Sequence, residues 1–532
     1  MLSVLAAALL SVAAAAPLDV TTTSGIFRGA ATANGTEKWL GIRFAQAPVG
    51  SLRFKAPVAV TNPPATIQNA STFGNACPQP ASTSLGAPIA EDCLFLNVFR
   101  PAGTSAKAKL PVLFWIHGGA YTTNSASNPG YDPTLLVQRS VALKKPMIFV
   151  SANYRVNTFG FLASSSVAPR DLNAGLQDQR MAMRFVQQNI AKFGGDPTKV
   201  TIWGQSAGAG SVEAHLLYPT TPPMFRAAIA DSSTGPFKNS PEASTYDLAG
   251  KPFARLLAST GCAAGSGAVS CLQAVPFTTL MSISNAMITT TLNGQLWQPA
   301  VGPKGSMITQ RASDVIASGK YLRVPYIGGS NARVNEGTTF SPTLKNLNLT
   351  GSAQDAAFET FIGHLVIDNS TIPTSVYAKS VALWPANDPA LGAPFNTGDS
   401  LFDRGEAWYT DIMFLTPRRS WFEAASARMP MFAYYFREFI PGTDPSLGVY
   451  HASELFFLFG PLQTPLAEQM RTFYVNFVTG LTPGAPWIAY KGGSSRAVLQ
   501  LISDNITMIP DDWDTEKTTF LNSQEVLDAF EK

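Results

Sequence analysis

Gly204-Gln205-Ser206-Ala207-Gly208 follows the apolar run 200–203 (VTIW) and precedes AGAGSVEAHLL, a stretch that suits a helix. A strand that turns into a helix this abruptly has room only for small residues two positions either side of the central one. Gly204 and Gly208 fill those places, so the sequence predicts a strained elbow with the Ser206 hydroxyl exposed at its tip. The helix behind it would aim backbone N–H groups at that point and favour negative charge there. A serine between two glycines means little alone. Set between a strand and a helix, it commits the chain to layers of both.

The neighbouring segments agree. Residues 110–116 (LPVLFWI) and 146–152 (PMIFVSA) are short continuous apolar runs that read as buried strands, and 225–230 (FRAAIA) reads as another. Leu176, Met183, Val186, Ile190 and Phe193 are spaced 7, 3, 4 and 3, one face of a helix that Gly194, Gly195 and Pro197 stop. Strand, helix, strand, helix predicts an α/β fold with a large, mostly parallel central sheet and helices on both faces. No repeat or low-complexity linker divides residues 17–532, which read as a single domain. The stretch 340–400, rich in Pro, Asn and Ser, reads as an irregular excursion from the core.

With 45% hydrophobic and 14% charged residues, 33 Phe and 9 Trp, the chain excludes a disordered protein. A net charge of +3 without a dense Lys/Arg block gives nucleic acid no electrostatic footprint. Residues 1–16 (MLSVLAAALLSVAAAA) carry no charge and end in small side chains, which reads as a secretory signal peptide cleaved near Ala16. No later apolar stretch is long enough for stable membrane insertion. The four cysteines, Cys77, Cys93, Cys262 and Cys271, allow three pairings, of which the two sequence-local pairs are the natural choice. Their spacing is not that of a metal site. Sequons at Asn34, Asn69, Asn348, Asn369 and Asn505 suit a secreted, extracellular glycoprotein.

A serine hydroxyl is a poor nucleophile near neutral pH and needs a base, usually histidine. The chain has four. His117 ends a strand before Gly118-Gly119-Ala120 and would shape that loop; His215 lies on the helix behind Ser206 and reads as core; His364 falls in the irregular stretch. His451, in a loop after the strand-like run 431–436 (MFAYYF) and before a Phe-rich segment, is the best base. The imidazole needs an acid to fix its tautomer, and the usual chain order places it between 206 and 451. Strand-like 324–328 (VPYIG) runs into a loop that offers Glu336, although other carboxylates lie in the window. Small residues Gly118, Gly119 and Ala120 at the end of strand 110–116, with the N–H of Ala207, could cradle an oxyanion.

At this point the sequence resembles the type-B carboxylesterase/lipase family, relatives of cholinesterases and of secreted fungal lipases. The stretches that carry the likeness are LGIRFAQAPVGSLRF (40–54), EDCLFLNV (91–98), WIHGGAY (115–121), NYRVNTFGFL (153–162), LQDQRMAMRFVQQNIAKFGGDP (176–197), the elbow, NEG (335–337) and GVYHASELFF (448–457). They cover most of 20–490 and are weakest over 340–400. The resemblance implies an α/β-hydrolase fold, with Ser206 as nucleophile, Glu336 as acid and His451 as base. It implies oxyanion donors at Gly119, Ala120 and Ala207, and disulfides Cys77–Cys93 and Cys262–Cys271. Leu296 and Trp297 fall near where relatives build an acyl-pocket wall. Phe456, Phe457 and Phe459 read mostly as core, with one free to face substrate.

Two departures matter. The elbow reads GQSAG where many relatives have GESAG, so the residue beside the serine is neutral. The Cys77–Cys93 loop holds 15 residues and no aromatic side chain. Similar cholinesterases receive the choline cation on a tryptophan in this loop, and similar fungal lipases use a longer one as a lid; neither feature is expected here. The expected activity is that of a secreted serine carboxylic-ester hydrolase cleaving hydrophobic esters, without metal or organic cofactor. The alternatives are a lipase on long-chain glycerides or other lipid esters (sterol, carotenoid) and, less favoured, a feruloyl-type esterase. A small-molecule or lipid ester is the expected partner, and the oligomeric state stays open.

Overall fold

The apolar runs pair with one another at the centre of the computed structural model, which describes residues 18–232, 239–331 and 335–532. The segment 1–16, expected to be a signal peptide, lies outside the described residues. In chain order the first strands are β1 (Asp19–Thr22), β2 (Gly25–Arg28), β3 (Ala30–Ala31), β4 (Thr36–Arg43), β5 (Ile67–Asn69), β6 (Phe95–Pro101) and β7 (Leu110–Ile116). The later ones are β8 (Ile148–Ala152), β9 (Gly195–Gln205), β10 (Ala227–Asp231), β11 (Tyr326–Asn331), β12 (Met431–Phe436), β13 (Ala497–Leu501) and β14 (Thr507–Pro510). Eleven of them form one sheet in the order β14-β13-β12-β11-β10-β9-β7-β8-β6-β4-β3, while β1, β2 and β5 form a small second sheet.

From β13 across to β8 the strands are parallel; β6, β4 and β3 pair antiparallel along one margin and β14 along the other. Every residue of β8, β10, β11 and β12 is buried, because crossover helices cover both faces of parallel strands. Successive side chains leave a strand on opposite faces, and β9 makes the layering visible. Trp203 packs against Tyr474 of the helix Pro465–Gly480, with ring centroids 5.4 Å apart. Its neighbour Gly204 lies against the helix Ala207–Leu217 so closely that a Cβ there would come within 2.2 Å of Gly208 O. The two helices therefore cover opposite faces.

The periodic stretch forms the helix Ala174–Asn189 and a final turn Ile190–Phe193, after which Gly194 at φ 88° releases the chain into β9. Two of the family-like stretches, NYRV and LQDQ, meet in the core through Arg155 and Asp178, an ion pair of 2.7 Å that is buried on both sides. The disulfides are Cys77–Cys93 and Cys262–Cys271, the sequence-local pairs. All five sequon asparagines are exposed.

The stretch 340–400 is more regular than its composition predicts. It contains helices Gly351–Gly363 and Thr374–Leu383. With the helices Ser400–Thr410 and Gln524–Ala529 they bury a second apolar cluster that includes Phe358, Ile362, Trp384, Trp408 and Phe530. The Pro and Asn residues sit in the connections between these helices, which is why the apolar spacing was obscured. No single helix among the described residues is long and apolar enough to cross a membrane.

Candidate active site

The elbow forms at the end of β9, where Ser206 takes φ 58° and ψ −125°. Side chains avoid this backbone region, and such strain persists only where the surroundings hold it. Here the Ser206 N–H donates to Asp231 O at 2.9 Å and its carbonyl accepts from Gly210 N–H at 2.9 Å. Ser206 is 8% exposed at the start of the helix.

The loop leaving β7 makes the opposite wall. A Cβ on Gly118 would come within 2.6 Å of Gln205 O and 3.0 Å of Ser206 Cβ, so only glycine lets this strand end lie against the elbow. Ala120 and Tyr121 follow at φ 55° and 61°. The N–H groups of Gly119, Ala120 and Ala207 donate to no acceptor among the described residues. Gly119 and Ala120 line a cavity with Ser206, and Ala120 and Ala207 line a second one with it. Gly118 lines neither and serves the close approach. His117 braces the loop: its Nδ1 donates to Gly118 O at 2.9 Å, and its ring stacks on Tyr154, 4.3 Å between centroids. Burial pushes His117 down to about 4, so it stays neutral. His215 is also buried, with Nε2 2.9 Å from Gln179 Oε1, and His364 is exposed.

His451 reaches the same place from the loop after β12. Its Nδ1 lies 3.1 Å from Glu336 Oε1, and its Nε2 lies 3.2 Å from the Gln205 amide nitrogen. A carboxylate accepts only, so Nδ1 carries the proton and Nε2 presents a lone pair, which the Gln205 N–H fills. The hydrogen bonds thus join His451 to Glu336 and to Gln205, not to the Ser206 hydroxyl. Ser206 and His451 instead line one cavity of about 330 Å³. The neutral residue of GQSAG is therefore a direct neighbour of His451. Phe414 stacks on the imidazole at 4.9 Å and Phe340 meets it edge-on at 5.0 Å.

Sequence reasoning missed Asn331, the last residue of β11. Its backbone N–H donates to Glu336 Oε2 at 2.8 Å, while its side-chain amide donates to Tyr450 O at 2.8 Å and to Glu454 Oε2 at 2.8 Å. One residue thereby ties the loop of Glu336 to the loop of His451. Burial, with Asp231 and Glu336 nearby, pushes Glu454 well above the usual carboxylate range. Burial also raises Asp231 to about 6, against the hydrogen bonds from Tyr474 and Trp203 that favour its ionised form.

The cavity that lacks His451 is walled by Tyr121, Gln295, Gln298, Phe340, Tyr409, Met413 and Phe414 and leaves about 20 Å³, room for about one water molecule. Met413 and Phe414 come from a π-helical turn, Asp411–Leu415, a distortion that often marks functional sites. Leu296 and Trp297, expected near this wall, are both 1% exposed and lie in the core; Trp297 donates to Thr158 Oγ1 at 2.9 Å. The flanking Gln295 and Gln298 form the wall instead. Phe457 and Phe459 are core, and Phe456 is 40% exposed.

A parallel sheet that ends in a serine elbow, with a histidine and a glutamate brought to it by loops after later strands, defines an α/β-hydrolase. The chain belongs to the carboxylesterase family, whose sequence profile matches residues 16–507, and is a carboxylic-ester hydrolase. It is similar to Secreted lipase 1 of Botryotinia fuckeliana, at 33% identity over 93% of this chain and 91% of that protein. Para-nitrobenzyl esterase of Bacillus subtilis is 30% identical over 94% of this chain and 97% of its own length. Among solved structures, Aspergillus niger EstA superposes with a TM-score of 0.81 at 26% identity, covering 97% of this chain and 99% of that one.

Proposed function

We propose that this is an exported esterase with one catalytic domain over 17–532, in which Ser206, His451 and Glu336 form the triad. Ser206 Oγ attacks the ester carbonyl carbon while His451 Nε2, exchanging the Gln205 amide for the hydroxyl, takes its proton. The oxyanion is held by the N–H groups of Gly119, Ala120 and Ala207, each of which is worth on the order of 10²–10³ in rate. His451 then gives its proton to the leaving alcohol oxygen as the C–O bond breaks. Water adds to the acyl-enzyme, its proton passes through His451 to Ser206 Oγ, and the acid departs. The observation that carries this reading is the hydrogen bond from His451 Nδ1 to the buried Glu336, which leaves Nε2 a base on the Ser206 side. A fluorophosphonate is expected to label Ser206 alone; a mass-spectrometric adduct on any other residue would refute the assignment.

The substrate reading is an ester of a short acid. The leaving oxygen takes its proton from His451, so the alcohol lies on the histidine side and the acyl group on the other. That other side is the tight cavity under Met413 and Phe414. The relatives named lipases favour long-chain esters as the second reading, and acyl length separates the two. Wild type should prefer butyrate to octanoate esters, and Met413→Ala should raise the octanoate-to-butyrate ratio of kcat/KM on the order of tenfold. An octanoate preference in the wild type would favour the lipase. Export is supported by the relatives named as secreted, by two disulfides and by exposed sequons.

A further inference from the structure

We infer that Lys532 is a positioning residue for the acyl side of the site: its amine holds the π-helical turn that carries Met413 and Phe414. The sequence explains why this turn needs a donor from outside. At the end of the turn Asp411–Leu415, the Thr416 N–H donates to Asp411 O, five residues back. The next bond of that kind would run from residue 417 to Ile412 O, but residue 417 is proline and has no N–H. With Thr416 already engaged, Ile412 O is served by neither its α nor its π partner. Ile412 is 1% exposed, and a buried carbonyl left alone is costly. Lys532 Nζ donates to this oxygen at 2.7 Å.

Lys532 is itself 5% exposed, and this is the one hydrogen bond its amine makes among the described residues. Burial pushes the amine down to about 7. Taking such a group out of water for one bond is unfavourable unless the acceptor has no other donor. The main chain of Lys532 is held separately: its N–H donates to Leu527 O at 3.0 Å and its carbonyl accepts from Ser313 Oγ. The side chain is therefore aimed from a fixed base. What the turn carries links this bond to catalysis. Met413 and Phe414 directly follow Ile412 and line the small cavity with Ser206, and Phe414 also stacks on the His451 imidazole at 4.9 Å. Lys532 lines neither cavity at Ser206; it acts through the backbone of the wall. On the reading above that this cavity takes the acyl group, the bond keeps long chains out.

Lys532→Met keeps an unbranched stem and removes the donor. The full-length variant is compared with wild type on butyrate and octanoate esters, and amide exchange over residues 410–420 is followed by mass spectrometry. The octanoate-to-butyrate ratio of kcat/KM is expected to rise about fivefold, and amides of the turn to exchange about tenfold faster. Adding Pro417→Ala supplies the missing N–H five residues after Ile412 and is expected to return the ratio to within about twofold of wild type. A general loss of stability would lower both esters alike and would not be mended by that second change. Equal losses on both esters, an unchanged ratio, or no recovery with Pro417→Ala would overturn the proposal. An octanoate preference in the wild type, with exchange still faster in Lys532→Met, would refute the acyl reading and leave the hold on the turn standing.

Discussion

Ser206→Ala is expected to lower kcat for butyrate esters by about 10⁵–10⁶ and to leave thermal unfolding nearly unchanged. The loss is large because alanine keeps the oxyanion donors and the substrate cavity but removes the attacking atom, so only the small residual catalysis of the cradle survives. The fold is untouched for a local reason. The strained backbone at φ 58° is held by the Ser206 N–H to Asp231 O and by its carbonyl to Gly210 N–H, and alanine makes both. Turnover measured beside circular dichroism checks both halves, and a kcat within about 100-fold of wild type would remove Ser206 from the chemistry.

Glu336→Gln is expected to cost about 10⁴ in kcat, by the effect that the wrong histidine tautomer has in triads. The side chain is nearly isosteric and 0% exposed, so it should occupy the same site. Its two ends are not equivalent, however. The backbone N–H of Asn331 demands an acceptor at 2.8 Å, which takes the new carbonyl oxygen. The amide NH₂ then faces His451 Nδ1, which must become the acceptor, and the proton moves to Nε2. A protonated Nε2 cannot take the serine's proton. KM should change little, since Glu336 lines neither of the two cavities at Ser206, and a kcat near wild type would assign the acid's role elsewhere.

How far the sequence could be read depended on whether a feature is local. The elbow was legible because its glycines, its strand and its helix are all within a few residues of Ser206. His451 was reached by elimination, with only four histidines to weigh. Glu336 needed the family resemblance, since nothing in its loop distinguishes it from other carboxylates; what sets it apart in the fold is its contact with His451 Nδ1. Over 340–400, turn residues between short helices diluted the apolar spacing, so helices that bury Phe358 and Ile362 read as irregular chain. The cavity walls lay furthest from view. Tyr409, at the end of one helix, and Met413 and Phe414, in the π-helical turn that follows it, line a cavity with Ser206, a placement that no local spacing announces.

Asn331 has a wider consequence. Its main chain grips the carboxylate and its side chain grips the segment that bears the imidazole, so both groups hang from the final residue of one strand. Warming that frays this strand tip withdraws Glu336 and His451 as a unit. Catalysis should therefore fade in a single step, ahead of any drop in helical signal, with no population in which one partner stays poised without the other.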